Sequence, residues 1–255
     1  EIKNKEILDS INYARRIQTA ILPPDRVFRE ILKDSFILFR PKDIVAGDFY
    51  WIEQYNEHII FTAADCTGHG VPGAMVSVVC HNALNRAVRE FGIFDPGSIL
   101  DKVRELVAET FEKSENEVRD GMDIALCTLK GNMLSYSGAN NPLWIIRNKT
   151  AEIPSIEEIK PDKQPIGKYD SEKPFTTHSI ELAKGDTFYI FSDGYADQFG
   201  GPQGKKFKYK AFKNLLLDIH NRPMSDQKSL LNNEFDNWKG SIEQVDDICV
   251  VGVKF

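Results

Sequence analysis

Apolar side chains recur at steps of three and four near the start of the chain, at Ile7, Ile11, Ala14, Ile17 and Ile21, with charged residues between them. That period predicts an amphipathic helix over 1–22. Pro23-Pro24 ends it, because proline disfavours helix in the residue before it. The stripe suits either a coiled-coil linker to an upstream segment or packing against the domain that follows. Short strand-like runs then appear at 36–39, 48–52 and 58–64. Two helical stretches follow, 71–91, with Pro72 near its first turn, and 96–113. A series of strands comes next, at 124–129, 134–137, 143–147, 175–180 and 187–191. Lys130-Gly131-Asn132 and Lys184-Gly185-Asp186 mark tight turns between them. Residues 148–174, rich in Pro, Lys and Glu, read as a long connection. Helical segments at 208–220 and 225–239 precede a last strand at 248–255. Strands come in runs, helices come in pairs, and hairpins outnumber β-α-β crossovers. The expected class is α+β, with antiparallel sheets covered by helices.

Composition narrows the function classes. The 255 residues suffice for one domain plus an appendage, and the pattern divides them into a linker helix at 1–24 and a domain at 25–255. A net charge of −6 gives no electrostatic reason to expect nucleic acid or an anionic membrane as partner, although Lys205, Lys206, Lys208 and Lys210 cluster. The four cysteines, at 66, 80, 127 and 249, form no Cys-x-x-Cys unit and read as buried, reduced thiols. No run of about 18 apolar residues spans a membrane and no signal-peptide core opens the chain, so the expected location is the cytoplasm, alone or as the cytoplasmic part of a larger sensor protein.

The candidate chemistry lies where aspartates meet strand ends. The apolar run 59–64 ends in Asp65, the run 188–192 ends in Asp193, and the run 248–251 begins right after Asp246-Asp247. If the last strand runs antiparallel to the others, these carboxylates share one edge. Asp48 follows Gly47, which would allow close backbone approach. Each aspartate taken singly suits a turn. Together they would repel one another without a counter-charge. An all-oxygen set suits a hard cation, Mg²⁺ or Mn²⁺. Two such ions would polarise a phosphoryl group and generate hydroxide from a shared water.

Six strings carry a family resemblance: Val-Ala-Gly-Asp-Phe-Tyr-Trp at 45–51, Ala-Asp-Cys-Thr-Gly-His-Gly-Val-Pro-Gly-Ala at 64–74, Gly-Ala-Asn-Asn-Pro at 138–142, Pro-Ile-Gly at 165–167, Phe-Ser-Asp-Gly at 191–194 and Asp-Asp-Ile at 246–248. In this order they resemble the SpoIIE-like (stage II sporulation protein E) branch of the metal-dependent protein phosphatases, bacterial relatives of the 2C type, over about residues 36 to 255. The resemblance implies an αββα sandwich with metals at one end. Asp48 and Asp65 would contact a metal pair, with Asp65 bridging and the backbone carbonyl of Cys66 as a further ligand. Asp193 and Asp246 would complete the second ion's shell, Asp246 being favoured over Asp247. Asp123 is an outside candidate for a weaker metal position. The chain departs from the family at Ala46, at Trp51 and at Ala139-Asn140, where packing alone is expected to change. His69 is a candidate general acid, weighed against a simple role in its glycine-flanked turn. The Gly-rich turn before the helix at 71 suits an anion, and Arg40 and Lys42 are weighed as phosphate-steering groups against plain surface charge.

The resulting expectation is a serine/threonine protein phosphatase with two Mg²⁺ or Mn²⁺ ions. Its phosphoprotein target would be an anti-sigma-factor antagonist, with an upstream sensor domain and a homodimer through the first helix. Two rivals stand beside it: a catalytically silent phosphatase-fold interaction module, and an enzyme for small phosphate compounds, for which no base-binding motif is recognisable.

Overall fold

The computed structural model describes residues 2–112, 120–148, 153–167 and 172–255. Helix α1 (Ile2–Ile21) and a short α2 (Asp25–Ile31) lead into strands β1 (Ser35–Arg40), β2 (Phe49–Tyr55) and β3 (His58–Cys66). Helices α3 (Gly70–Arg89) and α4 (Pro96–Glu112) follow, then β4 (Met122–Lys130), β5 (Met133–Ala139), β6 (Leu143–Ile146), β7 (Ile156–Ile159), β8 (His178–Glu181) and β9 (Thr187–Phe191). One turn of helix, α5 (Gly194–Asp197), precedes a small hairpin of β10 (Phe199–Gly200) and β11 (Lys205–Lys206). Helices α6 (Lys208–Ile219) and α7 (Met224–Lys239) and strand β12 (Ile248–Lys254) complete the chain.

Two five-stranded sheets form, in the orders β1-β12-β9-β6-β7 and β2-β3-β4-β5-β8, and every neighbouring pair is antiparallel. One apolar layer, including Phe61, Cys127, Phe188, Ile190 and Val251, lies between the sheets. A second, with Leu84, Val88, Leu100 and Val103, joins α3 and α4 to the β3 sheet. A third, with Tyr195, Phe212, Leu216, Leu231 and Phe235, joins α6 and α7 to the β12 sheet. Both faces of each sheet are therefore covered, which explains why β9 and β12 read as nearly unbroken apolar runs rather than alternating ones. The αββα layering is the one expected.

Several local expectations change. The connection at 148–174 contains β7, whose Ile156 and Ile159 pair with Ile146 and Leu143. Its Ile-Glu-Glu-Ile pattern puts one isoleucine on each face of an edge strand, Ile159 toward the layer between the sheets and Ile156 toward the helices, so no alternating period shows. The strand expected at 175–180 begins only at His178, because Phe175 and Thr177 bond to α4 instead: the Phe175 N–H donates to Asp101 and the Gly97 N–H to the Thr177 hydroxyl. The helix expected at 96–113 is described to Glu112, and residue 113 lies outside the described residues. The stripe on α1 is covered only in part. Ile11, Ala14, Gln18 and Ile21 turn toward the domain, while Ile7 and Ile17 are exposed. All four cysteines are free and buried.

Candidate functional site

β3 carries its apolar run to Ala64 and places Asp65 directly opposite Asp123 of β4. Like charges facing one another across an antiparallel pair are unfavourable, so this pairing has no purpose in the sheet itself. In the other sheet β9 and β12 are antiparallel neighbours, so Asp193, just past the end of β9, and Asp246, just before the start of β12, emerge at the same edge. The two edges meet in a cleft of about 320 Å³ lined by Asp65, Asp123, Asp193 and Asp246. The backbone of Cys66 to His69 and the Pro165-Ile166-Gly167 segment form its walls.

Asp48 lies behind this cleft, 2% exposed, and its Oδ2 has no hydrogen-bond partner. The loop carrying it is pressed onto the Cys66–Gly68 backbone. A Cβ at Gly47 would collide with the Gly68 carbonyl and sit 3.2 Å from the Cys66 carbonyl, so only glycine fits. Burial first, and then the nearby Asp65, pushes the Asp48 carboxyl well above the carboxylate range. Burial raises Asp65 to about 8, with Asp193, Asp246 and Asp123 adding to the rise. Burial followed by the Asp246 charge raises Asp193 to about 6. Asp123 is also raised by burial, and eased by Asn140, whose Nδ2 donates to its Oδ1 at 2.8 Å.

Asp246 and Asp247 differ in surroundings. Asp247 is 2% exposed, and its carboxylate accepts the backbone N–H groups of Lys42 and Gly47, both at 2.7 Å. It buttresses the Asp48 loop from behind, while Asp246 faces the cleft. His69 borders the cleft, with Nδ1 2.8 Å from Asp43 Oδ2 and Nε2 3.3 Å from the Lys42 amine. Arg40 does not steer toward the cleft. Its guanidinium donates to Asn232 and Asp236 of α7 and lies over the Phe235 ring.

The residues fit a hard divalent cation. The donors are oxygens, the carboxylates are crowded enough to hold protons in place of a cation, and the buried Oδ2 of Asp48 is left unpaired. Among the described residues no three His, Cys, Asp or Glu side chains stand close enough to make a ligand shell by themselves.

Three contributors to the cleft carry roles that the sequence did not assign to them. Asn140 does more than pack, because its left-handed backbone (φ 58) turns the amide onto Asp123. The Pro165–Gly167 wall is held by the ladder contact of Ile166 with Met122. Tyr209, in the first turn of α6, stands against Phe191, two residues before Asp193, and burial and then the Asp193 charge push its hydroxyl up. The strings at 138–142 and 165–167 were the visible signals, and nothing local pointed to Tyr209.

A family profile described as Stage II sporulation protein E (SpoIIE) matches residues 56–255. The chain belongs to the SpoIIE family. Among solved structures, the SiaA-PP2C domain of Pseudomonas aeruginosa is 30% identical, covering 100% of this chain and 98% of that one, with a TM-score of 0.88. The PP2C phosphatase domain and a fragment of the regulatory domain of SpoIIE from Bacillus subtilis is 19% identical, covering 87% of this chain and 62% of that one, with a TM-score of 0.68. RsbX in complex with magnesium is 14% identical, covering 87% of this chain and 94% of that one, with a TM-score of 0.56. Comparison with curated proteins gives no match. This SpoIIE-family chain thus has the fold of a PP2C-type phosphatase domain. None of its described helices is long and apolar enough to cross a membrane.

Proposed function

We propose that the chain is a divalent-metal-dependent phosphatase acting on phosphoserine or phosphothreonine in a protein. The observation that carries the reading is the meeting of Asp65, Asp123, Asp193 and Asp246 from two sheets in one cleft, with the unpaired Oδ2 of Asp48 behind it. Asp48, Asp65, the Cys66 carbonyl, Asp193 and Asp246 would hold two Mg²⁺ or Mn²⁺ ions, and Asp123 would serve a weaker position. Bound there, such ions supply positive charge to the phosphoryl oxygens and activate water for attack at phosphorus. Asp247 keeps the Asp48 loop in place, and Asn140 orients Asp123. The small volume of the cleft suits a phosphorylated side chain better than a nucleotide.

In the same reading the target is an anti-sigma-factor antagonist carrying one phosphoserine. Residues 25–255 form the output domain of a signalling protein, joined through the linker helix at 1–24 to a sensor. Ile7, Leu8, Tyr13 and Ile17 are exposed apolar residues on α1, which would be covered by pairing with a second copy.

The test is hydrolysis of p-nitrophenyl phosphate with Mn²⁺, with and without EDTA, for the chain and for Asp193→Asn. Turnover that needs metal and disappears in the variant supports the hydrolase. No turnover, together with no Mn²⁺ bound by calorimetry, would instead support an interaction module. A phosphopeptide assayed beside a nucleotide panel separates protein from small-molecule substrates.

A further inference from the structure

The β10–β11 hairpin and the first turn of α6 break local rules that stability alone would enforce. Lys205, Lys206, Lys208 and Lys210 are all exposed within six positions of a chain whose net charge is −6. They lie at or just before the N-terminal end of α6, which has no acidic residue in its first turn. Cations there oppose the helix dipole. Lys208 also has left-handed backbone, φ 72, a conformation that lysine rarely adopts. Phe199 and Tyr209 stand beside these lysines, 40% and 41% exposed.

The lysines do not hold this segment together. The Gly201 N–H donates to the Trp238 carbonyl at 2.8 Å, and Trp238 Nε1 donates to the Gln198 carbonyl at 3.0 Å. Phe207 packs edge-on against both Trp238 and Tyr195. Among the described residues one of these lysines has a local ion-pair partner, Lys206 with Asp197 at 2.8 Å. The segment lies next to the cleft: the Asp197 N–H bonds back to the Asp193 carbonyl, and the Tyr209 ring stands against that of Phe191, two residues before Asp193. Local rules broken together at the rim of a site point to function there.

We infer that this rim is the docking surface for an acidic segment of the protein substrate, next to its phosphorylated residue. The inference rests on the phosphatase reading for what lies in the cleft. The lysines supply positive charge beside the cleft, where the partner's flanking carboxylates would lie. Phe199 and Tyr209 give its apolar side chains a surface. The occupant is a short acidic protein segment rather than a long polyanion, which would run from the lysines onto Asp193 and Asp197.

The experiment is fluorescence anisotropy of a labelled peptide carrying an unmodified serine between aspartates and glutamates, which cannot be hydrolysed. It is run with the whole chain and with Lys205→Gln/Lys208→Gln/Lys210→Gln, leaving Lys206 to neutralise Asp197. The chain should bind this peptide more tightly than one with neutral flanks, and less tightly as salt rises. The Gln variant should bind about tenfold more weakly, and the matching Arg variant should keep the affinity. Equal binding by chain and Gln variant, equal binding of the neutral peptide, or equal competition by an RNA oligonucleotide of the same charge would each overturn the inference. A parallel p-nitrophenyl phosphate assay keeps the two readings apart. Peptide binding without turnover would count against the phosphatase and leave the docking surface standing.

Discussion

Gln18 of α1 holds Ala46 by both polar groups of its backbone. Its Nε2 donates to the Ala46 carbonyl at 2.6 Å and its Oε1 accepts the Ala46 N–H at 3.0 Å. The same Nε2 lies 3.1 Å from the Ser77 hydroxyl of α3. One buried side chain therefore ties the first helix to α3 and to the loop two residues before Asp48. Gln18→Leu leaves those groups unpaired and should cost about 1–3 kcal/mol of stability. It should also weaken Mn²⁺ binding by loosening Asp48. Thermal melts and calorimetric titration measure the two effects, and unchanged Mn²⁺ affinity would remove Gln18 from the site's support.

The adjacent aspartates should respond differently to the same change. Asp247→Asn places an amide against two buried N–H donors, so it should lower stability by about 1–3 kcal/mol, or several degrees in Tm. Asp246→Asn removes charge from the crowded cleft, so the metal-free protein should melt no lower than the unaltered chain while binding less Mn²⁺. Paired melts and titrations of the two variants decide it. The reverse assignment would show as metal loss confined to Asp247→Asn.

The cleft also fixes a pH dependence for the metal-free chain. Asp65 and Asp193 have folded values of about 8 and about 6, raised above the ordinary carboxylate value of about 3.9. The folded state therefore keeps protons that the unfolded chain releases. This contribution to stability is complete below pH ~4 and is lost as pH rises through about 6 and then about 8. In EDTA, Tm should fall between those pH values, and Mn²⁺ should flatten the slope by taking the protons' place. A Tm in EDTA that rises across the same range would contradict the buried, like-charged arrangement.

Gly47→Ala tests the close approach beside Asp48. The added methyl meets the Gly68 carbonyl oxygen, a backbone atom that cannot swing aside. A loss of roughly 1–3 kcal/mol is expected, with weaker Mn²⁺ binding as the loop shifts. Urea denaturation measures the first and calorimetry the second. A neutral effect would mean that the loop is free to move.

The layered architecture was legible because strand-length apolar runs and paired amphipathic helices declare themselves by period. Asp65 and Asp193 stood out because each closes such a run. The rest depended on partners distant in sequence. Gln18 looks like one more polar residue on a helix, and only its register against Ala46, 28 positions on, makes it a clamp. Asn140 sits 17 positions from Asp123, and nothing local to either announces the contact. β7 was missed because a four-residue edge strand takes its identity from its neighbour. The spacing on α1 found Ile11, Ala14 and Ile21, but apolar spacing cannot foresee that Gln18 turns inward among them or where the covered part begins.

Strand β12 lies between β1 and β9 in its sheet, although it is the last element of the chain. During synthesis on the ribosome, β1 and β9 therefore emerge with an open place between them, and the final strand fills it. Asp246 arrives just ahead of that strand. The acidic cleft can be completed only once residues 246–254 have been made, so a product truncated before residue 246 lacks an interior strand of the sheet and one wall of the cleft together.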